Sequence, residues 1–287
     1  MVMPKMNGFE VYNQLLSAEH KRFLPVIMIT SKNDNELKEQ ALGLGIHYFL
    51  EKPIKSNELI AVTLNILKIN NLYRKSHDQT ERLEINYHHL ESDLVNSLLL
   101  SVKFRDLETS EHINRVSNIV KIIATASGVA ESVVEQLTIA SKLHDIGKVG
   151  IPDEILTKVD ILTTEEWEFM KKHTTIGESI LTVHASELMQ LAAVIAKTHH
   201  ENWDGTGYPQ KLKGNEIPIA GRIVAIADVF DALLTERPYK NAWRTDQAVA
   251  YMEQQSGHKF DPKLVKIFID RIDDVISLYE PEMIHYN

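Results

Sequence analysis

Helical patterns follow one another from about residue 98 to the end of the chain, without a strand pattern between them. Segments such as SEHINRVSNIVKIIATASG, LMQLAAVIAKTHHENW and PIAGRIVAIADVFDALL keep the apolar spacing of helices. Their apolar faces must be buried against one another, so the succession predicts an all-α domain over residues 98–287. One long irregular stretch, residues 204–218, is rich in Gly and Pro, and such a loop is usually functional or disordered.

Residues 1–68 show a different pattern, in which helical segments alternate with short apolar runs. The runs PVIMIT and IHYFL predict strands, while GFEVYNQLLSA, NDNELKEQALGLG and SNELIAVTLNILKI predict helices, the last of them capped by Ser56. This alternation predicts a partial α/β region of the doubly wound kind. Two strands alone do not make an independently stable sheet, so the region is short for such a fold.

Residues 69–97 lack Gly and Pro and predict a long linker helix, which makes the chain mainly α. A loose heptad along this segment comprises Ile69, Tyr73, Ser76, Thr80, Leu83, Tyr87, Leu90, Leu94 and Ser97. The heptad predicts a signalling helix or a dimeric coiled coil. The alternative is a surface helix packed on its own chain, because Ser76 and Thr80 are polar.

The composition narrows the possible functions. The net charge of −9 disfavours broad electrostatic binding to nucleic acid, so cations must be concentrated locally if the substrate is anionic. The absence of cysteine excludes disulfides and thiolate metal sites, and leaves 13 histidines and the carboxylates as metal ligands. Without a long apolar run or a leader pattern, we expect a cytoplasmic protein that does not bind membranes.

Histidines and carboxylates stand at or near the ends of the predicted helices. Taken singly, each histidine is more often structural or solvent-facing, and Glu108 with His112, four residues apart on one helical face, could be a surface pair. Asp228 is harder to explain, because an unpaired carboxylate in an apolar helix is costly. The candidates are Glu108, His112, His144, Asp145, His173, His199, His200 and Asp228.

Convergence of these side chains on one polynuclear metal site would explain all of them. Imidazole and carboxylate ligands suit Fe, Mn, Ni or Zn. His144 and Asp145 are adjacent in HDIGK, and side chains of adjacent helical residues diverge by about 100°. Such a pair can coordinate two neighbouring ions, because a carboxylate has two oxygens with which to bridge them.

The blocks HDIGKVGIPDEIL, HTTIGESIL, HHENWDGTGYP and RIVAIADVFDALLTERPYK resemble the HD-GYP family of metal-dependent phosphohydrolases over roughly residues 98–280. The resemblance implies hydrolysis of the bacterial second messenger cyclic di-GMP to pGpG, GMP or both, by attack of metal-activated hydroxide on phosphorus. It also implies an alternative, since the GYP loop in this family can contact GGDEF (diguanylate cyclase) domains. The chain would then be an adaptor with little turnover.

The resemblance implies roles for individual residues. Asp145 would bridge two divalent ions, and Glu108, one helical turn before the first His, favours a third ion. The resemblance implies that the ions are iron or manganese. The competing interpretation is that Glu108 pairs with a basic side chain and that two ions are bound. The implied metal ligands are Glu108, His112, His144, Asp145, His173, His199, His200 and Asp228.

The same resemblance implies catalytic and substrate-binding residues. Lys148 would place its ammonium on a phosphate oxygen beside Asp145; its alternative role is a cation at a helix C-terminus. The ring of Tyr208 can pack on a guanine or on the sugar–phosphate. The chain departs from the family pattern after PDEILTK, where VDILT replaces a Pro-Gly turn near the mouth of the site. The implied substrate contacts are Gly207, Tyr208, Pro209, Asp231, Arg237 and Lys240.

The stretches MVMPKMNGFEV, VIMITS and FLEKPI resemble the second half of a response-regulator receiver domain, with Thr30 and Lys52 at its switch Thr and invariant Lys. The phospho-acceptor Asp of that family would fall just before Met1, so we expect no normal phosphorylation of the chain as given. Missing strands would leave an exposed sheet edge, and we expect a homodimer through this region and the linker helix. The predicted domains are residues 1–68, 69–97 and 98–287.

Overall fold

The computed structural model describes residues 8–17, 25–31, 35–46, 48–103, 109–236 and 242–279. The chain divides into two compact units, Met1–His89 and Leu90–Asn287. Every helix within the described ranges is too short or too polar to cross a membrane.

The first unit contains a small parallel sheet. Both predicted strands are confirmed, and they pair in parallel with Ile27 opposite Tyr48 and Thr30 opposite Glu51. Thr30 is buried at the end of its strand, and the backbone N–H of Lys52 donates to the Thr30 carbonyl oxygen over 3.0 Å. The elements before the long helix are α1 (Gly8–Ser17), β1 (Ile27–Thr30), α2 (Asn35–Gly43) and β2 (Tyr48–Glu51).

One helix, α3, runs without interruption over Ser56–Lys103, a length of 48 residues. The sequence predicts two segments here, and the predicted domain boundaries at residues 68 and 97 fall inside this helix. Several apolar members of the predicted heptad are exposed: Leu83 and Leu90 each by 68% and Ile69 by 37%. We call these exposed apolar heptad residues, Ile69, Leu83 and Leu90, the apolar seam of α3.

The described part of the second unit is helical, apart from an isolated bridge between Ser256 and Phe260, which confirms the predicted all-α architecture. After the last part of α3, its elements are α4 (Ser110–Ala126), α5 (Glu131–Ser141), a 3-10 helix (Ile146–Gly150), α6 (Asp153–Leu156), α7 (Thr164–Met170), α8 (His173–Leu181), α9 (Glu187–Thr198), a 3-10 helix (Gly214–Glu216), α10 (Ile219–Leu234), α11 (Thr245–Gln254), α12 (Pro262–Asp270) and α13 (Ile272–Ile276).

The core of this unit lies between α4, α5, α9 and α10, with α8 packed on α9 and α12 against α4. Ile119, Ile195, Ile226, Phe230 and Phe268 are fully buried in one cluster. Helix α10 is apolar around most of its circumference because it lies inside this cluster. The packing holds the ends of the surrounding helices at fixed positions.

Two predicted helices are shorter than their sequence pattern suggests. AESVVEQLTIASKLHDIG ends its helix at Ser141, so His144 and Asp145 lie in the turn that follows it. TTEEWEFMKKHTTIGESIL forms two helices, α7 and α8, and His173 is the first residue of α8. These breaks decide where the candidate ligands lie.

Candidate metal centre

The candidate ligands of the second unit come together at the ends of helices. Thr109 caps α4 and accepts a hydrogen bond from the backbone N–H of His112, which fixes His112 in the first turn. His173 opens α8, and His199 is the C-cap of α9. Asp228 is the exception, since it lies within α10, where its side chain is 13% exposed.

Seven of the predicted ligands form two groups, each with its donor atoms within 4.8 Å of one another. The first group is built around Asp145, and the second around Asp228. The groups are Asp145, His173, His199 and His200, and His112, His144 and Asp228.

The Asp145 carboxylate lies at the centre of the arrangement. Its Oδ1 is 3.2 Å from Nε2 of His173 and 3.5 Å from Nε2 of His199. Its Oδ2 is 2.9 Å from Nζ of Lys148 and 3.5 Å from Nε2 of His144. Burial alone would raise the pKa of Asp145, but Lys148 and the surrounding histidines together hold that pKa well below its ordinary value. The carboxylate is therefore ionised and available to a cation.

The histidines are oriented by carbonyl groups at the helix ends. Nδ1 of His144 is 2.8 Å from the Ser141 carbonyl oxygen, and Nδ1 of His173 is 2.8 Å from that of Met170. Nδ1 of His199 is 3.0 Å from the Ala196 carbonyl oxygen. These carbonyls belong to the last turns of α5, α7 and α9, where intrahelical donors are lacking. A carbonyl can only accept, so Nδ1 carries the proton and the Nε2 lone pair is directed to the site.

The buried donor atoms fit divalent cations. Nε2 of His144, His173 and His199 and Oδ1 of Asp145 are buried and make no hydrogen bond within the described part of the chain. Leaving such atoms unsatisfied is costly, and a bound ion would satisfy all of them. Nitrogen and carboxylate oxygen donors suit first-row ions such as Fe, Mn or Zn.

His200 stands beside His199 with its ring against the ring of Tyr208. Burial lowers the pKa of His200 well below its ordinary value, and His199 and His173 act in the same direction. The imidazole is therefore neutral, as metal coordination requires.

The structure corrects the role predicted for Asp231. The family resemblance implies that this residue contacts the substrate, but its side chain is completely buried. Its Oδ2 accepts from His112 Nδ1 over 2.7 Å, and its Oδ1 accepts from Arg115 Nε over 2.6 Å and from the Tyr279 hydroxyl over 2.8 Å. Burial acts to raise the pKa of Asp231, but the hydrogen bonds from His112 and Arg115 lower it to about 2. Asp231 thus positions His112 and does not face the cavity.

Two glycines allow the close approaches on which the site depends. A Cβ on Gly147 would lie 1.9 Å from the carbonyl oxygen of His173, so only glycine lets the segment after Asp145 contact α8. A Cβ on Gly207 would lie 2.2 Å from the backbone nitrogen of Asn202.

The GYP loop is tied to the segment that follows α9. The Tyr208 N–H donates to the His200 carbonyl oxygen over 3.1 Å, and the buried Glu201 carboxylate accepts from the backbone N–H groups of Gln210 and Leu212. The Tyr208 ring lies 4.9 Å from the His200 ring at an angle of 32°. Burial, together with Asp145 and Asp228, raises the pKa of Tyr208, so its hydroxyl remains a neutral donor.

A cavity of about 880 Å³ opens over these residues. Its wall includes Asp145, Lys148 and Asp228, and also Trp167 and Lys259, which no sequence motif indicates. Burial lowers the pKa of Lys259 while Asp228 opposes that change. Neither residue belongs to a block that carries the family resemblance, so only the folded chain reveals them. Arg115 and Tyr279 were missed for the same reason.

Three predicted site residues lie outside the described residues. They are Glu108, Arg237 and Lys240. Their roles stay predictions.

Comparisons with known proteins agree with this organisation. A family model described as HD domain matches residues 93–264, and one described as response regulator receiver domain matches residues 1–64. The Xanthomonas campestris cyclic di-GMP phosphodiesterase response regulator RpfG is 38% identical over 270 residues, covering 92% of this chain and 71% of that protein.

Two further relatives are also named as phosphodiesterases of cyclic dinucleotides. A Thermotoga maritima cyclic di-GMP phosphodiesterase is 36% identical over 296 residues, covering 98% of this chain and 80% of that protein. The 3′3′-cGAMP-specific phosphodiesterase 2 of Vibrio cholerae is 44% identical over 196 residues, covering 68% of this chain but only 38% of that protein.

We expect Mn²⁺ to stabilise the metal-stripped protein, since an ion that binds only the folded chain adds about 2.7 kcal/mol at 100 times its dissociation constant. Thermal unfolding with and without the ion measures the effect. His144→Ala should lose a large part of this metal-dependent shift, whereas His77→Ala, on the exposed surface of α3, should keep it. An undiminished shift in His144→Ala would contradict the assigned site.

Asp231→Asn should weaken metal binding about 10- to 100-fold, the usual effect of losing a carboxylate that orients a ligating histidine. It should also lower the free energy of unfolding by up to about 3–5 kcal/mol, because Arg115 loses its buried partner. Metal titration and urea unfolding measure the two effects. Asp274→Asn, at an exposed ion pair with Arg271, is the control. Wild-type metal affinity in Asp231→Asn would refute the positioning role.

Proposed function

The chain belongs to the HD domain family, and we propose that it is a metal-dependent phosphodiesterase that hydrolyses cyclic di-GMP in bacterial second-messenger signalling. The family resemblance predicted from the HDIGK and GYP blocks is confirmed by these comparisons. The observation that carries the proposal is the convergence of two groups of side chains that could hold metal ions at one cavity, beside Lys148.

Bound divalent ions would supply Lewis acidity toward phosphate oxygens and would lower the pKa of water, which makes hydroxide available near neutral pH. The chain itself binds and orients the phosphodiester. The Lys148 ammonium, 2.9 Å from Asp145 Oδ2 and 16% exposed, lines the cavity and can turn to a non-bridging oxygen. Lys259 is a further cation in the wall, which supports binding of an anion by a chain of net charge −9.

The nature and number of the ions belong to the proposal. The two donor groups support at least two ions, and we propose iron or manganese on the basis of the family resemblance. A third ion depends on Glu108 alone. Metal analysis of anaerobically purified protein, compared with Glu108→Ala, tests this part.

The adaptor alternative is less well supported. Recruitment of GGDEF-domain partners would use the outer surface of the GYP loop, but Gly207 is buried and the Tyr208 ring is turned onto His200. The loop therefore helps to build the site. Metal-loaded protein without any hydrolysis, behaving like His144→Ala, would favour the adaptor.

The substrate range includes a second candidate. The similarity to a 3′3′-cGAMP-specific relative supports testing the mixed GMP–AMP cyclic dinucleotide beside cyclic di-GMP. Chromatography of the products decides between pGpG and GMP, and the ratio of kcat/KM values ranks the two substrates. A cytoplasmic location follows from the proposed role in intracellular signalling.

We also propose that the chain dimerises through α3. The exposed Leu83 and Leu90 belong to a heptad, and a second copy of the same helix is the partner that matches such a seam. The receiver-like region is proposed to contribute to the same dimer.

Lys148→Met should lower kcat for cyclic di-GMP by about 10²- to 10³-fold, by analogy with loss of one donor to a developing oxyanion. Metal content should stay unchanged, because the ammonium is not a ligand. Steady-state kinetics and metal analysis measure both. Lys121→Met, exposed on α4, should keep full activity. Equal rates for the two variants would remove Lys148 from the proposal.

Light scattering should give a mass of twice 32.7 kDa for the chain. Leu83→Lys places a charge in the apolar seam and should shift the protein to the monomer. Asp78→Lys changes charge at an exposed α3 position outside the heptad and should leave the dimer intact. A monomeric wild-type chain would refute the dimer.

A further inference from the structure

Trp167 is a cavity residue that the proposed reaction does not use. It lies in α7, lines the cavity and is 45% exposed. Its ring meets that of Tyr208 edge to face, with centroids 6.4 Å apart and an angle of 78°. Lys171 places its Nζ 6.0 Å from the centre of the Trp167 ring.

Tyr208, the aromatic residue predicted to pack on a base, is already engaged with other rings. His200 covers it at 4.9 Å with a tilt of 32°, and the ring of His173 lies edge-on at 6.4 Å. By contrast, Trp167 remains 45% exposed beside its contacts with the Tyr208 ring and Lys171. Trp167 is therefore the better placed surface for a flat ligand.

An apolar loop extends the wall beside Trp167. Val159 and Ile161 line the same cavity and are 68% and 95% exposed. The loop is fixed to α7, because Lys158 Nζ lies 2.6 Å from the Glu166 carboxylate and Glu166 also closes the capping box with Thr163. This is the segment where VDILT replaces the Pro-Gly turn of the family pattern.

We propose that Trp167, together with Val159 and Ile161, forms a subsite for one nucleobase of the cyclic dinucleotide. The inference rests on the proposed function and extends it from phosphate chemistry to base binding. The cavity of about 880 Å³ is within the size range of pockets for whole small ligands, roughly 300–1,000 Å³, and exceeds what a phosphodiester alone requires.

The subsite should affect binding more than chemistry. Stacking on an aromatic ring tolerates any base, since every base has a flat π face. Loss of the indole should therefore weaken binding of guanine and adenine dinucleotides to a similar extent. It should raise KM while kcat changes by less than about twofold, because stacking stabilises the bound substrate and the transition state alike.

The test compares Trp167→Ala with Trp167→Phe in the metal-loaded full chain. The probes are GMP and ribose 5-phosphate, which carries the same sugar and phosphate without a base. Trp167→Ala should weaken GMP binding by about 5- to 150-fold, the range for one lost stacking contact, and should leave ribose 5-phosphate binding unchanged. Trp167→Phe should retain most of the GMP affinity. Trp243→Phe, packed against Tyr251, is the matched control and should bind GMP normally.

Wild-type GMP affinity in Trp167→Ala would overturn the subsite, as would an equal loss of both probes. A wild-type chain that does not bind GMP would overturn it as well. These binding measurements do not require turnover. A chain that binds GMP through Trp167 but does not hydrolyse cyclic di-GMP would therefore disprove the proposed function and still support the subsite.

Discussion

The buried Asp145 carboxylate, surrounded by imidazoles and one ammonium, is the interaction on which the rest of the helical unit depends. Removing such a charge from water costs several kcal/mol unless partners surround it. The helix ends that carry these partner side chains therefore have to meet around the Asp145 carboxylate. Lys148 contacts Oδ2, and His173 at the start of α8 and His199 at the end of α9 both face Oδ1. The glycine between Asp145 and Lys148 serves this purpose, because it lets the polypeptide touch α8 closely enough to complete the ring of donors.

The position of histidines at helix ends has a common physical cause. Carbonyl groups in a last helical turn lack intrahelical donors, and a histidine three residues further on can donate its Nδ1–H to one of them. His144, His173 and His199 all do so. The same hydrogen bond turns Nε2 toward the candidate site, so one contact both satisfies a helix-end carbonyl and orients a candidate ligand.

The sequence predicted the helical class and both described strands, because spacing records these directly. Seven of the residues that it suggested as metal ligands lie together in the folded chain, in two groups that could hold an ion. The sequence did not predict the break before His173, since Lys171 and Lys172 give no local stop signal and tertiary packing determines the break. The role predicted for Asp231, a contact to the substrate, also differs from its contacts in the structure. Asp228 and Asp231 are three residues apart on α10, and only partners distant in sequence, such as Arg115, decide which one is buried.

The hydroxyl of Tyr279 reaches Asp231, which in turn holds His112, and this chain of contacts has a consequence during biosynthesis. Asp231 lies 119 residues after His112, and Tyr279 follows 48 residues later. At about 5–20 residues per second, a ribosome needs on the order of ten seconds or more to add the missing part. The nascent polypeptide therefore cannot complete the hydrogen bonds that position His112 until nearly all of the helical unit has been synthesised.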